Sequence, residues 1–502
     1  MSPAHDPASP PPVRVLMEIR PALAGHAGIP QETRLLFRGL SLIDDFAVEG
    51  LIQHATHALG PGLPPGGRTW LGPLSADRQI DRMARIVIMV EQKFLRSYLS
   101  LVPLLARRLV GWRERLRIFD ATRFRDFIWR RFFARTLPTE DFEVVTRGRF
   151  RVARAPWNAQ HICALVTRKL GWTLFPLLDT SDFDLMICEW PYPGIVSRRT
   201  RMVVRYHDAI PLLMPHTIAK RRFHQMFHYH SLRSNVRCGA WFVCVSEATR
   251  RDLVSVFPQV EARSVTIHNI VSHHYFDEPS DAARVPEIVK IRLNPRIKPP
   301  LDPSFRHRLF EGGVLRAPVH YLLMVATVEP RKNHLTLLAA WESLRAERFP
   351  DLRMLIVGEL GWRQKRIVAK LRPWMERGDV FLLSDVPAPE LRLLYKHARA
   401  TVCPSFGEGF DFPGVEAMMS GGAVVASDIA VHREIYVDAA EYFNPYSAAD
   451  LARAIARVVE PSQSEHRAEL VSRGAAVAQR YGYDAVLPKW REFLLSVARG
   501  AA

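Results

Sequence analysis

The residues best equipped for chemistry stand in PSFGEGFDFPGVEAMMSGG, positions 404–422. The apolar run ending at Cys403 reads as a strand and the glycines after it as a loop. Pro413 marks a helix start, where proline gives up no needed hydrogen bond. Glu408 in the loop and Glu416 in the helix are eight residues apart, so they reach different parts of a ligand lying across that helix start. Gly409, Phe410 and Asp411 would present backbone N–H groups there, where a phosphate or a partly charged sugar oxygen is stabilised. A plain acid-capped turn explains Pro413 and Glu416, but not the two glycines flanking Glu408. In ATVEPRKNHLTLL (326–338), Arg331 and Lys332 fall at a helix N-terminus, against the macrodipole. They are poor caps, yet a fork-like arginine beside a point-charge lysine suits a diphosphate. The bland alternative is two solvated cations in an arginine-rich chain. In VVRYHDAIPLLMP, His207 and Asp208 follow a strand, where a histidine can hydrogen-bond a sugar hydroxyl. Alone it would mean little, because the chain has 19 histidines.

Two alternating patterns of strand and helix must position these groups. Strands are expected at Arg14–Ile19, Met202–Tyr206, Trp241–Val245 and Val265–Ile267, with a helix from Gln31 to about Leu42. After a proline-broken basic linker, strands are expected at Tyr321–Ala326, Arg353–Val357, Val380–Leu383, Thr401–Cys403 and Ala423–Ser427. Helices His334–Glu347, Pro389–Arg399 and Gly414–Met419 lie between them. The repetition implies two parallel α/β domains, with ligands in the cleft between them at the carboxyl ends of the strands. The boundaries expected are a disordered leader over 1–12, an N-terminal domain over 13–278, a linker over 279–317, a C-terminal domain over 318–480, and a helix within 481–502 returning to the first domain. A basic insert, mostly helical, is expected at about 60–200.

The sequence narrows the environment as well. The 502 residues carry 69 Lys+Arg against 51 Asp+Glu, a net charge of +18, which asks for an anionic partner. Five scattered cysteines without a CxxC pair argue against a zinc ribbon or a disulfide scaffold. No apolar run is long enough to span a membrane, and the first residues have no apolar signal-peptide core, so a cytoplasmic location is expected. No paired carboxylates stand out as ligands for a divalent metal, and no metal or other cofactor is expected.

The segments YHDAIPL, VCVSEATRRDL, IHN, VATVEPRKN, IVGELGW, ELRLLYKHARATVCPS, EGFDFPGVEAM, the GG before AVVASD, and HREIYVDAAEYFNP follow one another over roughly residues 200–495. In kind and order they resemble the retaining family 4 glycosyltransferases of GT-B fold, in which two Rossmann-like domains face a central cleft. The resemblance implies that Glu408 contacts donor-sugar hydroxyls and Glu416 the nucleotide ribose. It gives Arg331 and Lys332 the diphosphate, and sets His207 near the donor sugar. GHAGIP (Gly25–Pro30) looks like the family's glycine loop, which puts Gly28, with Asp208, on the acceptor side. Two positions depart from the pattern: Ala326–Thr327 stands where some members carry an arginine, and Asp411 where many carry glycine. The implied reaction moves a hexose, mannose-like, from a nucleotide-diphosphate sugar to a glycan or lipid-linked acceptor, with the departing phosphate as base. Cell-surface polysaccharide assembly would suit it. The alternatives are an epimerase or phosphorylase of the same fold, or a non-catalytic membrane or nucleic-acid adaptor.

From Arg82 to Arg135, basic residues outnumber acids by about three to one, interleaved with Phe94, Tyr98, Trp112, Phe119, Phe124, Trp129, Phe132 and Phe133. Basic residues with aromatics on the other face read as an anionic membrane contact, peripheral on the inner side of the membrane. A helical cap with solvated arginines explains the same residues. Single-stranded nucleic acid is a third reading, demoted by the downstream motifs.

Overall fold

The computed structural model describes residues 11–25, 28–64, 68–69, 72–92, 101–168, 173–219, 221–311, 315 and 317–500. Runs such as VRVLME and YLLMV are buried along most of their length, as strands covered on both faces must be. In the first domain they are β1 (Val13–Glu18), β2 (Phe46–Ile52), β3 (Arg117–Asp120), β4 (Arg149–Val152), β5 (Leu185–Cys188), β6 (Arg201–Tyr206), β7 (Trp241–Cys244) and β8 (Ser264–Thr266). Their order in the sheet is β8-β7-β6-β5-β1-β2-β4-β3, parallel except for β3 against β4. In the second domain β9 (Tyr321–Val325), β10 (Arg353–Val357), β11 (Val380–Leu383), β12 (Ala400–Cys403), β13 (Val424–Ser427) and β14 (Ala440–Phe443) form a parallel sheet of order β11-β10-β9-β12-β13-β14. Each order reverses once, between β1 and β5 and between β9 and β12. These reversals open the crevices where α/β sheets bind ligands.

The helices that frame the crevices are α1 (Gly28–Leu40), α2 (Ala76–Glu91), α3 (Leu101–Leu109), α4 (Trp157–Arg168), α5 (Arg221–Arg237), α6 (Glu247–Val256), α7 (Val285–Arg292), α8 (Pro303–Glu311), α9 (His334–Glu347), α10 (Phe412–Met419) and α11 (Tyr483–Arg499). The last of these crosses back to the first domain. Its Val486, Trp490, Leu494 and Val497 are buried among Leu36, Phe37 and Ile267, and Arg491 pairs with Asp45 at 2.5 Å.

Three expectations are corrected. The stretch 279–317 is not a bare linker: α7 and α8 bury Val285, Val289, Phe305 and Leu309 in the core of the second domain. The segment 60–200 is not a separate insert, because β4 and β5 within it lie in the central sheet, β5 beside β1. Nor do most aromatics of 82–135 face outward. Phe119, Phe127, Phe132 and Phe133 are buried in the first core, and Phe124 and Trp129 pack against it. Among the described residues of this group only Trp112, beyond the end of α3, is largely exposed, at 63%. Burial of phenylalanine outweighs any amphipathic surface role, since each ring gains about 2 kcal/mol inside. Phe94, Tyr98 and residues 1–10 lie outside the described residues. Among the described residues no helix is long and apolar enough to cross a membrane.

Candidate active site

The second sheet's reversal brings two of the sequence constellations together. The loop after β9 carries a short turn, Pro330–Lys332, ended by Asn333 in the left-handed region (φ 61°). Asn333 Nδ2 donates to the carbonyls of Pro404 and Pro445, tying this turn to the loops after β12 and β14. Arg331 and Lys332 therefore precede α9 by one turn instead of opening it. Arg331 Nη1 donates to Glu408 Oε2 and to the Gly407 carbonyl, both at 2.6 Å, and Nη2 donates to Glu329 at 3.0 Å. Lys332 Nζ reaches Glu408 Oε1 at 2.5 Å. Burial pushes the Glu408 carboxyl up, but Arg331 and Lys332 outweigh it and hold it below its ordinary range. Burial works against both cations too, and Glu408 reverses it, so each stays charged.

Asp411 takes the left-handed conformation (φ 73°) at the cap of α10. Its carboxylate turns inward, accepting from Tyr436 Oη at 2.8 Å, with His432 Nε2 at 3.2 Å and Lys332 Nζ at 3.7 Å. Burial opposes its ionisation, but Lys332, His432 and Tyr436 hold its pKa well below the usual range. Asp411 thus fixes the cap and Lys332. Phe410 is buried against Phe412, His268 and Tyr481.

Glu416 is buried in α10. Its Oε1 accepts from Gln31 of α1 and its Oε2 from Tyr395, both at 2.9 Å. Burial pushes its pKa up to about 7, against those hydrogen bonds. Gln31 reaches across the cleft, so α1, which begins at Gly28, places a side chain from the first domain on the second domain's glutamate.

His207 directly follows β6 and faces this loop from the other domain. A Cβ on Gly409 would lie 1.8 Å from the His207 carbonyl oxygen, so only glycine allows the two backbones this close. The ring is held by Glu189 Oε2, 3.2 Å from Nε2. Burial lowers the His207 pKa to about 4 and raises that of Glu189 to about 8. At neutral pH the pair is thus a neutral imidazole against a neutral acid, suited to hydrogen bonding a hydroxyl rather than carrying charge. Asp208 Oδ1 caps the next turn at the Ile210 amide, and burial raises its pKa although the Arg331 charge opposes this.

The structure therefore gathers Arg331, Lys332, Glu408 and Asp411 into one charge cluster. His207 sits across the cleft from it and Glu416 further along α10. Sequence reasoning missed Glu189, Gln31 and Tyr395. The first stands after a strand it did not recognise, and the other two act on Glu416 from 385 and 21 residues away. The EW pair ending LMICEW carried a faint signal: an acid directly after an apolar run. Among the described residues no group of three or more His, Cys, Asp or Glu could hold a metal ion.

Residues 308–476 match the family model described as Glycosyl transferases group 1. The chain is 26% identical over 385 residues to O-antigen chain mannosyltransferase B of Escherichia coli, covering 76% of this chain and 91% of that one. It is 38% identical over 135 residues to serotype-specific mannosyltransferase WbdA of Escherichia coli, covering 26% of this chain and 16% of that one. Among solved structures, Alr3699/HepE of Anabaena, crystallised with UDP and glucose, superposes with a TM-score of 0.55 at 15% identity, covering 96% of this chain and all of that one. These likenesses set aside the non-catalytic adaptor.

Proposed function

In this glycosyltransferase of GT-B fold, we propose that the cleft moves a hexose, mannose-like, from a nucleotide-diphosphate sugar to a glycan or lipid-linked acceptor with retention of anomeric configuration. The observation that carries the reading is the convergence of Arg331 and Lys332 on Glu408 at the second sheet's reversal, opposite His207. Two cations already desolvated beside a glycine-rich loop are prepared for a leaving group that gains negative charge. A diphosphate entering the cluster takes over the two cations. Glu408 is then free to accept from sugar hydroxyls, and His207, neutral, hydrogen-bonds the same sugar. Glu416, exchanging Gln31 for ribose hydroxyls, holds the nucleotide.

The bond between C1 and the phosphate oxygen breaks, and the acceptor oxygen bonds to C1 from the same face. The acceptor's proton passes to the departing diphosphate oxygen. No carboxylate need act as nucleophile: Glu408 is tied to two cations and Glu189 to His207. Arg331 and Lys332 supply the positive charge that a bound metal would otherwise bring. The two mannosyltransferase likenesses support a mannose donor and an O-antigen-like polysaccharide as the product. Membrane contact, in this reading, falls to α3 and the turn after it, where Val102, Leu109, Val110 and Trp112 are exposed, with Arg107 exposed among them. A thermal-shift screen of GDP-, UDP- and dTDP-sugars tests the donor, because a binding nucleotide raises the midpoint. A GDP-sugar should raise it with or without EDTA. No shift with any nucleotide-sugar, or a shift abolished by EDTA and restored by one divalent metal, would overturn the reading.

A further inference from the structure

Lys332 has three N–H donors on a flexible four-carbon stem, so its place in the cleft depends on what holds it. Two carboxylates do so, Glu408 Oε1 at 2.5 Å and Asp411 Oδ1 at 3.7 Å. Burial pulls the Lys332 pKa down and Arg331 adds to this, but Glu408 and then Asp411 more than reverse it. The two carboxylates differ in how they are themselves held. Glu408 is otherwise tied to Arg331, the second cation that a diphosphate would claim.

Asp411 is fixed from behind. Tyr436 Oη lies 2.8 Å from its Oδ2 and 3.0 Å from its carbonyl oxygen. His432 Nε2 lies 3.2 Å from the same Oδ2, and His432 Nδ1 lies 2.9 Å from the Ser427 carbonyl at the end of β13. Ser427 Oγ in turn donates to the Ser405 carbonyl at 2.6 Å. Tyr436 and His432 are fully buried. The tyrosine reaches Asp411 only because position 414 of α10 has no side chain: a Cβ there would stand 2.3 Å from the Tyr436 ring and hydroxyl. Asp411 also holds φ 73° and ψ 79°, a conformation that strains any residue but glycine and persists where the surroundings impose it. A glycine inside α10 and a strained cap thus both serve to keep one carboxylate beside Lys332.

In the glycosyl-transfer reading, on which this inference rests, Glu408 turns to the sugar hydroxyls once the diphosphate arrives. We propose that Asp411 is a positioning residue that anchors Lys332 while Glu408 is engaged elsewhere, so that the ammonium stays aimed at the leaving oxygen without reorganising. The anchor has an electrostatic consequence. A carboxylate behind Lys332 repels the incoming diphosphate, so Asp411 weakens nucleotide binding while it supports the transition state.

Two measurements on the full chain test this. The first needs no nucleotide: acylation of Lys332 by N-hydroxysuccinimide acetate, read by mass spectrometry of a digest. Asp411→Asn alone should alter the rate less than about threefold, because Glu408 still holds the amine. In a Glu408→Gln background the same substitution should raise it about tenfold, the gain in free amine when its remaining ion-pair partner is lost. No further gain in that background would overturn the proposal. The second compares kcat with affinity for GDP and UDP. Asp411→Asn and Asp411→Gly should lower kcat about tenfold, the scale of a slightly misplaced charge, and bind the nucleotide as tightly as the unaltered chain or more tightly. Glycine adopts this backbone without strain, so Asp411→Gly keeps the loop. Unaltered kcat in both variants, or affinity falling together with kcat, would overturn the proposal. If a nucleotide-sugar turns over but the labelling contrast is missing, this inference alone fails. If the contrast appears and no nucleotide binds, the anchor stands and the transfer reading falls.

Discussion

In the proposed mechanism most of the chemistry turns on Arg331 and Lys332, and each has two parts to play. They pair with Glu408 in the resting site and would meet the diphosphate during transfer. Arg331→Ala and Lys332→Ala should each lower kcat about a hundredfold, the usual cost of removing one donor to a developing charge, about 3 kcal/mol. Circular dichroism should be unchanged. Near-normal turnover in the double variant would remove the diphosphate assignment. Glu416 gives a pH test. Its carboxyl is raised to about 7, and a ribose hydroxyl donates best to the ionised form. Nucleotide-sugar affinity should therefore rise with pH through about 7, and Glu416→Gln should flatten the profile while lowering affinity. Stability runs the other way. Glu416 and Glu189 hold protons in the fold up to about 7 and 8, against 4.5 for an ordinary glutamate. The stabilisation they lend is full below about pH 4.5 and is lost as pH rises through those values. The thermal midpoint should fall between about pH 4.5 and 8, and less steeply in Glu189→Gln.

Elements carry the geometry, and the glycine loop after β12 shows how little space they leave. Gly409→Ala would set a Cβ against the His207 carbonyl and Val245. Since backbone on that side cannot yield cheaply, the two domains must separate. Small-angle scattering should show a larger radius of gyration and turnover should drop, with each domain's helix content intact. A Gly409→Ala enzyme with wild-type dimensions and turnover would show that the close approach is dispensable. Five of the six strands of the second domain, all but β14, were legible because runs such as RMLIV and VFLL stand between clear breakers, and they agree with the structure to within a residue or so. The strand β5 was not legible: LMIC is four residues long, flanked by polar residues, and its partners β1 and β6 are its neighbours only in space. The aromatic-rich segment misled for a related reason. Its phenylalanines lack a clean helical period because they serve short helices, a strand and turns that together close one core. The charge cluster was legible because its members share two local motifs, whereas Gln31 and Glu189 gain their meaning only when distant segments meet.

At the scale of the whole molecule, the cleft is held by contacts between the domains that surround the site. Ser246 Oγ donates to the Gly409 carbonyl at 2.7 Å. Glu434 accepts the Glu247 and Ala248 amides, capping α6 from the second domain. Gln31 holds Glu416, Arg363 reaches the His216 carbonyl, and α11 returns across the boundary. In the proposed reaction the acceptor attacks the face of the sugar that the diphosphate leaves. The central claim is thus stereochemical, and the most direct measurement is NMR of the anomeric centre formed from a GDP-sugar labelled with ¹³C at C1. The account predicts an α-linked product from an α-linked donor. A β-linked product would contradict it, because inversion requires attack from the face opposite the departing diphosphate.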